Sequence, residues 1–248
     1  MFKQAAGLSY YRFLNRLHSD LLFDWYMEIG CRSGQSFAPV RSKTIAVDPF
    51  FRAEINIIGS KPELHVFQKP SDDFFASNFL ANNHIRLGVS FLDGMHLFEF
   101  LLRDFINTEA HSATKGVIVM HDCVPFDHQM TTRDIDNLPK GSWTGDVWKL
   151  IPILQAYRPD LQLTMLDARP TGLICVTNLA PENQVLKQNY DQICRDYENV
   201  TLDAFGVEKF AESFEFASAL ECWQNGFPLF RAASIDPDKA LIPTKVTP

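Results

Sequence analysis

The sequence lacks the signatures of several protein classes. Its five cysteines are odd in number, widely spaced and without a CxxC pair, so neither a disulfide framework nor a cysteine-rich zinc site is expected. Lysine and arginine (23) are fewer than aspartate and glutamate (30), which gives little support for binding nucleic-acid phosphates. Charged and aromatic residues interrupt the apolar runs of residues 1–20, unlike a secretory signal or a membrane span. We therefore expect a cytoplasmic protein with reduced cysteines and a small molecule or sugar as its partner, with no nucleic acid and no membrane.

What the sequence does contain is an alternation of short apolar runs and helical periodicity, which favours an α/β fold with a sheet covered on both faces. At 248 residues the chain is long enough for one moderately large domain. The last two predicted strands are separated only by residues 168–171, a hairpin length that makes the final strand antiparallel to its neighbour. The predicted strands are seven in number: 25–30, 44–48, 64–68, 87–93, 116–122, 161–167 and 172–178.

Helices are predicted where apolar residues recur at four-residue spacing, as they do from Leu97 to Ile106. The first five strands are separated by segments with room for one helix each. Residues 123–145 have almost no periodicity and are expected to form a long functional loop, here called the lid. We expect a domain over residues 1–205 that includes an N-terminal helix and the lid, followed by a C-terminal helix and tail over 206–248. The helical predictions beyond the lid are a helix that begins near Asp146 or Thr144 as its cap, helices over 182–197 and 207–223, and a tail from 236 that is partly disordered or an interaction arm.

A glycine-containing turn follows the first predicted strand, in the stretch EIGCRSGQS. Glycines at this point let the backbone approach a ligand closely, although a tight turn alone explains them equally well. Asp48 lies twenty residues beyond Glu28, at the end of the second strand, where an acidic side chain can bind both hydroxyls of a ribose. The GxGxxG pattern of a dinucleotide site is missing.

This segment resembles the first motif of the class I S-adenosylmethionine-dependent methyltransferases, and the resemblance extends over roughly residues 20–180. It implies a Rossmann-like seven-stranded mixed sheet in the order 3-2-1-4-5-7-6, with the last strand antiparallel and helices on both faces. It also implies S-adenosylmethionine as cofactor, with Asp48 at the ribose and Ser71 or Asp72 at the adenine edge. Asp72 and Asp73 fit equally well as helix-capping residues. The methionine part would be lined by the first motif and its neighbour, namely Glu28, Gly30, Gly34 and Ser36.

Two aspartates follow neighbouring strands in that strand order. Asp93 and Asp122 would leave the carboxyl ends of adjacent parallel strands, roughly 5 Å apart, at the edge where ligands bind in such sheets. Two ionised carboxylates this close need protonation, hydrogen bonds or a cation between them. Oxygen ligands suit magnesium or calcium better than zinc.

The pairing of DGMH (residues 93–96) with HD (residues 121–122) is similar to a metal-assisted O-methyltransferase branch of that family. The resemblance implies that Asp93 and Asp122 hold Mg²⁺ or another divalent cation and that His96, beside Asp93, removes the proton of a substrate hydroxyl. His121 is a candidate third ligand. Each assignment has a structural alternative: Asp93 as a helix cap, His96 as a structural histidine and Asp122 as a turn former.

The function predicted from these motifs is methyl transfer to a hydroxyl of a saccharide or other small polar metabolite. Trp143 would stack on a sugar ring or anchor the lid, and Arg133 or Lys149 would meet an acidic group of the substrate. An NAD-dependent oxidoreductase and a catalytically inactive cofactor-binding protein are the alternatives. The N-terminal and C-terminal helices are available for pairing in a homo-oligomer.

Overall fold

The computed structural model describes residues 1–236. Within them, eight strands form one sheet in the order β3-β2-β1-β4-β5-β7-β6-β8. Strands β1 to β5 are parallel, and β7 runs antiparallel to both of its neighbours, β5 and β6. The strand bounds are β1 Trp25–Ile29, β2 Lys43–Val47, β3 Leu64–Phe67, β4 Leu87–Leu92, β5 Ser112–His121, β6 Gln162–Leu166, β7 Leu173–Thr177 and β8 Phe216–Ala217.

The predicted strand order and the antiparallel hairpin are confirmed, with one additional strand. β8 pairs in parallel with the edge strand β6, where Met165 lies opposite Phe216 and Leu166 opposite Ala217. Only two residues take part, which is too short for a two-residue alternation to be recognised in the sequence. The sheet therefore has eight strands where the sequence predicted seven.

Helices cover both faces of the sheet, as continuous burial along the central strands requires. Alternate side chains of β1 enter two separate cores, Met27 and Ile29 on one face and Tyr26 on the other. Helices α4 and α5 pack on the first face, and α1, α9 and α10 pack on the second. The helix bounds are α1 Tyr10–Asp20, α2 Ser71–Ala76, α3 Phe79–Asn82, α4 Phe98–His111, α5 Leu150–Tyr157, α6 Val185–Tyr197, α7 Leu202–Phe205, α8 Val207–Glu212, α9 Ala219–Gln224 and α10 Pro228–Arg231.

Two helical predictions are wrong. The segments that join β1 to β2 and β2 to β3 contain turns and irregular backbone instead of one helix each. The single helix predicted over 207–223 is divided into α8, β8 and α9, because Phe216 adds to the sheet edge and Ser218 starts a new helix by accepting a hydrogen bond from the Glu221 amide. By contrast, the lid contains only one short 3₁₀ turn, at 129–131, as its missing periodicity predicts.

The ends of the chain leave two predictions open. The predicted division of the chain into residues 1–205 and 206–248 stays a prediction. The predicted tail beyond Asp236 lies outside the described residues. Within residues 1–236, no helix is both long and apolar enough to cross a membrane. All five cysteines are free thiols, as predicted.

Candidate active site

Asp93 and Asp122 converge at the carboxyl edge of the sheet. They follow β4 and β5, which pair in parallel up to Leu92 and Met120. Asp122 has a left-handed backbone with φ of 60°, a conformation that aspartate tolerates better than most residues and that is frequent at functional sites. One ligand atom from each of Asp93, His96 and Asp122 lies within 4.8 Å of the others. The structure thus brings together both predicted acids and the predicted base.

His121 lies between the two acids. Its Nδ1 atom is 3.2 Å from Asp93 Oδ1 and 3.3 Å from Asp122 Oδ1. Burial alone would lower the pKa of His121, but the adjacent Asp122 and Asp93 outweigh it and raise that pKa. Burial would likewise raise the pKa of Asp93, yet His121 and His96 bring it below its ordinary value. A protonated His121 ring would offset part of the negative charge of the two carboxylates.

His96 presents one ring nitrogen to the acids and the other to the lid. Its Nε2 atom is 3.3 Å from Asp122 Oδ2 and 3.6 Å from Asp93 Oδ1. Its Nδ1 atom is 2.8 Å from the carbonyl oxygen of Trp143, which only accepts, so Nδ1 carries the proton. In the neutral ring, Nε2 then holds a lone pair that faces the two acids. This lone pair is suited to accept a substrate proton or to ligate a metal ion.

The structural alternatives for the two acids find no support in the backbone contacts. Helix α4 begins without a side-chain cap from Asp93, because the Phe98 amide donates to Asp146 Oδ1 at 2.9 Å. The Val124 amide donates to the carbonyl of Thr171, so it does not form an Asx turn with Asp122. Both aspartate side chains instead contact His96 and His121.

Tyr10 and Thr171 complete the surroundings of His121 and were missed by the sequence analysis. The Thr171 hydroxyl donates to Asp122 Oδ1 at 2.7 Å and lies 3.3 Å from His121 Nε2. The Tyr10 ring centroid is 4.1 Å from that of His121. Thr171 lies in the hairpin before β7, so the predicted pairing of β7 beside β5 was a usable signal. The sequence held no signal for Tyr10, because its contact with His121 depends on how α1 packs on the sheet.

Glu28 is a buried carboxyl group at the end of β1. It accepts hydrogen bonds from Tyr26 Oη at 2.6 Å and from the Ser36 hydroxyl. Burial raises its pKa to about 8, against the opposing effect of these two hydrogen bonds. A cationic ligand amine placed beside Glu28 would favour its ionised form.

The glycine turn runs directly beside the acid cluster. Gly30 has φ of 85°, and a Cβ atom there would lie 2.0 Å from the carbonyl oxygen of Asp93. Gly34 also has positive φ, at 83°. The two predicted sites, for cofactor and for metal, therefore share one edge of the sheet and touch each other at Gly30 and Asp93.

The other predicted cofactor residues already have protein partners. Asp48 accepts from the amides of Arg32 and Phe50, both at 2.7 Å, and each oxygen keeps a second acceptor position. Asp72 forms a two-pronged ion pair with Arg103 at 2.7 and 2.9 Å. Burial raises the pKa of Asp104 to about 7, and the nearby Ser71 hydroxyl opposes that rise. Asp72 and Asp73 lie in the first turn of α2, whose cap position is Pro70.

The cations predicted to meet an acidic substrate are engaged within the protein. Arg133 pairs with Glu99 and Asp146, and the buried Lys149 donates to Asp146 Oδ2 at 2.6 Å. Trp143 lies against His96, with ring centroids 5.0 Å apart, and its Nε1 donates to the carbonyl of Thr132. Trp143 is thus anchored in the lid and also borders the candidate site.

Comparison with known proteins gives matches at the level of structure. No family model matches the chain, and no curated protein has a significantly similar sequence. Cofactor-bound Rv0187 from MTB is 15% identical, with 70% of this chain and 79% of that one covered and a TM-score of 0.50. The O-methyltransferase from Bacillus cereus in complex with SAH is 14% identical, with 67% and 79% covered and a TM-score of 0.47. MycE methyltransferase from the mycinamycin biosynthetic pathway, in complex with Mg and SAH, is 10% identical, with 77% and 54% covered and a TM-score of 0.46.

The match to Rv0187 shows that the two chains share a fold. At 15% sequence identity it shows nothing beyond the fold. In this chain the sheet has the order β3-β2-β1-β4-β5-β7-β6-β8, with β7 antiparallel. The chain therefore has the Rossmann-like α/β fold that its resemblance to the class I methyltransferases implied.

Proposed function

We propose that the protein is an S-adenosylmethionine-dependent O-methyltransferase, assisted by a divalent cation, that acts on a hydroxyl of a saccharide or another small polar metabolite. The observation that supports this most is the cluster of Asp93, His96 and Asp122, which lies directly against the Gly30 turn. A methyl donor at the turn and a hydroxyl acceptor at the cluster would be neighbours.

The reaction needs two groups, a cation that polarises the acceptor oxygen and a base that removes its proton. An alcohol has a pKa far above 7, so its oxygen must be polarised and its proton removed before it attacks the methyl group. When bound, a divalent cation supplies the polarisation and the cofactor supplies the methyl group. Asp93 and Asp122 would hold the cation, and Nε2 of His96 would take the proton because Nδ1 already donates to Trp143.

The donor atoms fit a divalent cation. Two carboxylates suit Mg²⁺, while the addition of an imidazole nitrogen also suits Mn²⁺ or another transition metal. His121 is close enough to the same oxygens to be the third ligand predicted from the sequence, after loss of its Nδ1 proton. If His96 were itself a ligand, a different group would have to act as base.

The cofactor would lie along the edge from β1 to β2. Glu28 would meet the amine of the methionine part, the backbone near Gly30, Gly34 and Ser36 would line it, and Asp48 would bind the ribose with its second acceptor positions. Ser71 or Asp72 would meet the adenine edge, and Asp72 would do so while paired with Arg103. Trp143 and Tyr10 offer aromatic surfaces near the acids, which suits the apolar face of a sugar ring.

Isothermal titration with S-adenosylhomocysteine tests the cofactor, and the same titration with His96→Gln tests the base. We expect the wild type and His96→Gln to bind S-adenosylhomocysteine equally, and only the wild type to transfer the methyl group of S-adenosylmethionine to saccharide acceptors. Absence of binding to the wild type would refute the proposal. Equal transfer by both proteins would remove His96 as the base.

A second candidate is a cofactor-binding protein without catalysis. It is favoured by one observation, that His121 Nδ1 lies within 3.3 Å of both Asp93 and Asp122, so a protonated ring would offset part of their charge without a metal ion. This candidate predicts binding of S-adenosylhomocysteine with no response to Mg²⁺ or Mn²⁺.

A further inference from the structure

The last residues of the lid and the residue after it, Trp143 to Asp146, contact the loop that carries His96. The Trp143 carbonyl accepts from His96 Nδ1 at 2.8 Å. The Asp146 amide donates to the His96 carbonyl at 3.2 Å. Asp146 Oδ1 accepts from the Phe98 amide at 2.9 Å. The segment therefore holds the ring of His96, its backbone and the first amide of α4.

Gly145 makes this contact sterically feasible. It has φ of 52°, and a Cβ atom at this position would lie 1.6 Å from the His96 carbonyl oxygen. Only glycine lets the two backbones approach this closely. The amides of Thr144 and Gly145 both donate to the Met130 carbonyl, at 2.9 and 3.0 Å, so the segment is also tied to the rest of the lid.

The carboxylate of Asp146 is itself fixed from the opposite side. Lys149 Nζ donates to Oδ2 at 2.6 Å, and both side chains are almost fully buried. Arg133 contacts the same oxygen and extends to Glu99 on α4. A buried carboxylate held by two cations has little rotational freedom, which leaves its Oδ1 directed at Phe98. Asp146 therefore joins the lid, α4 and the His96 loop.

We propose that Asp146 is a positioning residue that, together with Trp143 and Gly145, fixes the His96 ring with its Nδ1 proton on the Trp143 carbonyl and its Nε2 atom facing Asp93 and Asp122. This inference rests on the proposed function for its role in the reaction. It assigns Arg133 and Lys149 to the support of Asp146. The lid would then act on the chemistry through the geometry of His96.

The test uses paired substitutions in the full chain, because removing Asp146 alone would leave Lys149 buried without its partner. Asp146→Ala with Lys149→Met removes the contact to Phe98. Asp146→Asn with Lys149→Met keeps a side-chain oxygen that can accept from Phe98. The control removes another buried ion pair that involves α4, by Glu109→Gln with Arg158→Met, which lies away from His96.

Two readings are taken on the protein without cofactor. The first is the side-chain ¹⁵N spectrum of His96, assigned with His96→Gln and recorded at one fixed pH for all variants. The spectrum reports the hydrogen bond from His96 Nδ1 to the Trp143 carbonyl, which we expect to be present in the wild type, weakened in the Ala pair and recovered in the Asn pair. The second is amide hydrogen exchange, where Phe98 should exchange at least tenfold faster in the Ala pair than in the wild type.

The control should leave both readings at the wild-type values. An unchanged Nδ1 hydrogen bond and unchanged Phe98 exchange in the Ala pair would overturn the inference. The same changes in the control, or no recovery in the Asn pair, would also overturn it. Titration with S-adenosylhomocysteine keeps the two proposals apart. Failure of the wild type to bind would refute the proposed function, while the spectrum and exchange would still decide the role of Asp146.

Discussion

Gly30 is the residue at which the cofactor turn and the acid cluster meet. Its positive φ and the 2.0 Å separation between a Cβ atom at this position and the Asp93 carbonyl leave no room for a side chain. We predict that Gly30→Ala lowers the free energy of unfolding by about 2 kcal/mol or more, the usual scale for a strained backbone position, and weakens S-adenosylhomocysteine binding. Urea unfolding and calorimetric titration measure the two effects.

The matched control is Gly141→Ala in the lid, where a Cβ atom would meet nothing within 4 Å and φ is not positive. It should leave stability within about 0.5 kcal/mol of the wild type, as surface substitutions usually do. Equal effects of the two substitutions would show that the backbone contact at Gly30 is unimportant.

Glu28 gives the second prediction at this scale, through its pKa of about 8 in the folded protein. In the unfolded chain a glutamate has a pKa near 4.3. At a pH between these two pKa values, the folded state keeps a proton that the unfolded chain has released. Stability without cofactor should therefore fall as pH rises from 5 to 8, by on the order of 3 kcal/mol from Glu28. Asp104, with a pKa of about 7, acts in the same direction.

Urea unfolding of the wild type and of Glu28→Gln at pH 5, 6, 7 and 8 isolates the Glu28 part. The substitution should flatten the pH dependence while the part due to Asp104 persists. The same slope in both proteins would mean that Glu28 is ionised in the folded state.

At the scale of elements, the sequence predicts best where contacts are local and periodic. The seven strands follow from apolar runs and one hairpin length, whereas the convergence of Asp93 with Asp122 follows from the strand order that the resemblance to the class I methyltransferases implies. The glycine turn after β1 was predicted, but the absence of a helix over residues 30–42 was not, because glycines at the end of a strand do not reveal whether a helix follows. Tyr10 and Asp146 act through contacts between distant segments, which hydrophobic periodicity in one sequence does not encode.

Helix α4 is held at its C-terminal end by a buried ion pair. Arg158 at the end of α5 donates two hydrogen bonds to Glu109, at 2.6 and 2.9 Å, and both side chains are almost fully buried. We predict that Arg158→Met lowers the free energy of unfolding by about 3–5 kcal/mol, because Glu109 is left buried without a cation. Urea unfolding measures the loss.

The paired substitution Arg158→Met with Glu109→Gln removes both charges and should recover most of that stability. A double variant as unstable as Arg158→Met would contradict the explanation from the unpaired charge and would point to packing of the arginine stem.

At the scale of the whole molecule, ligand binding should appear as added stability. A ligand that binds only the folded state at 100 times its Kd adds about 2.7 kcal/mol, which for a chain of this length raises Tm by about 5–10 °C. We predict this shift for S-adenosylhomocysteine and none for NAD. Mg²⁺ or Mn²⁺ should add a further shift that excess EDTA removes. Thermal unfolding with each ligand alone and with both together provides the measurement.

Asp93→Asn separates the two ligands, because it removes one charge from the cation cluster and leaves Glu28 and the glycine turn intact. We expect this variant to keep the shift caused by S-adenosylhomocysteine and to lose the shift caused by the cation. Asp134→Asn, which changes an exposed acid of the lid, should keep both. A cation shift that survives Asp93→Asn would place the ion at a different group of acids. Activity unaffected by excess EDTA would leave His121, and no metal ion, to offset part of the charge of Asp93 and Asp122 during the reaction.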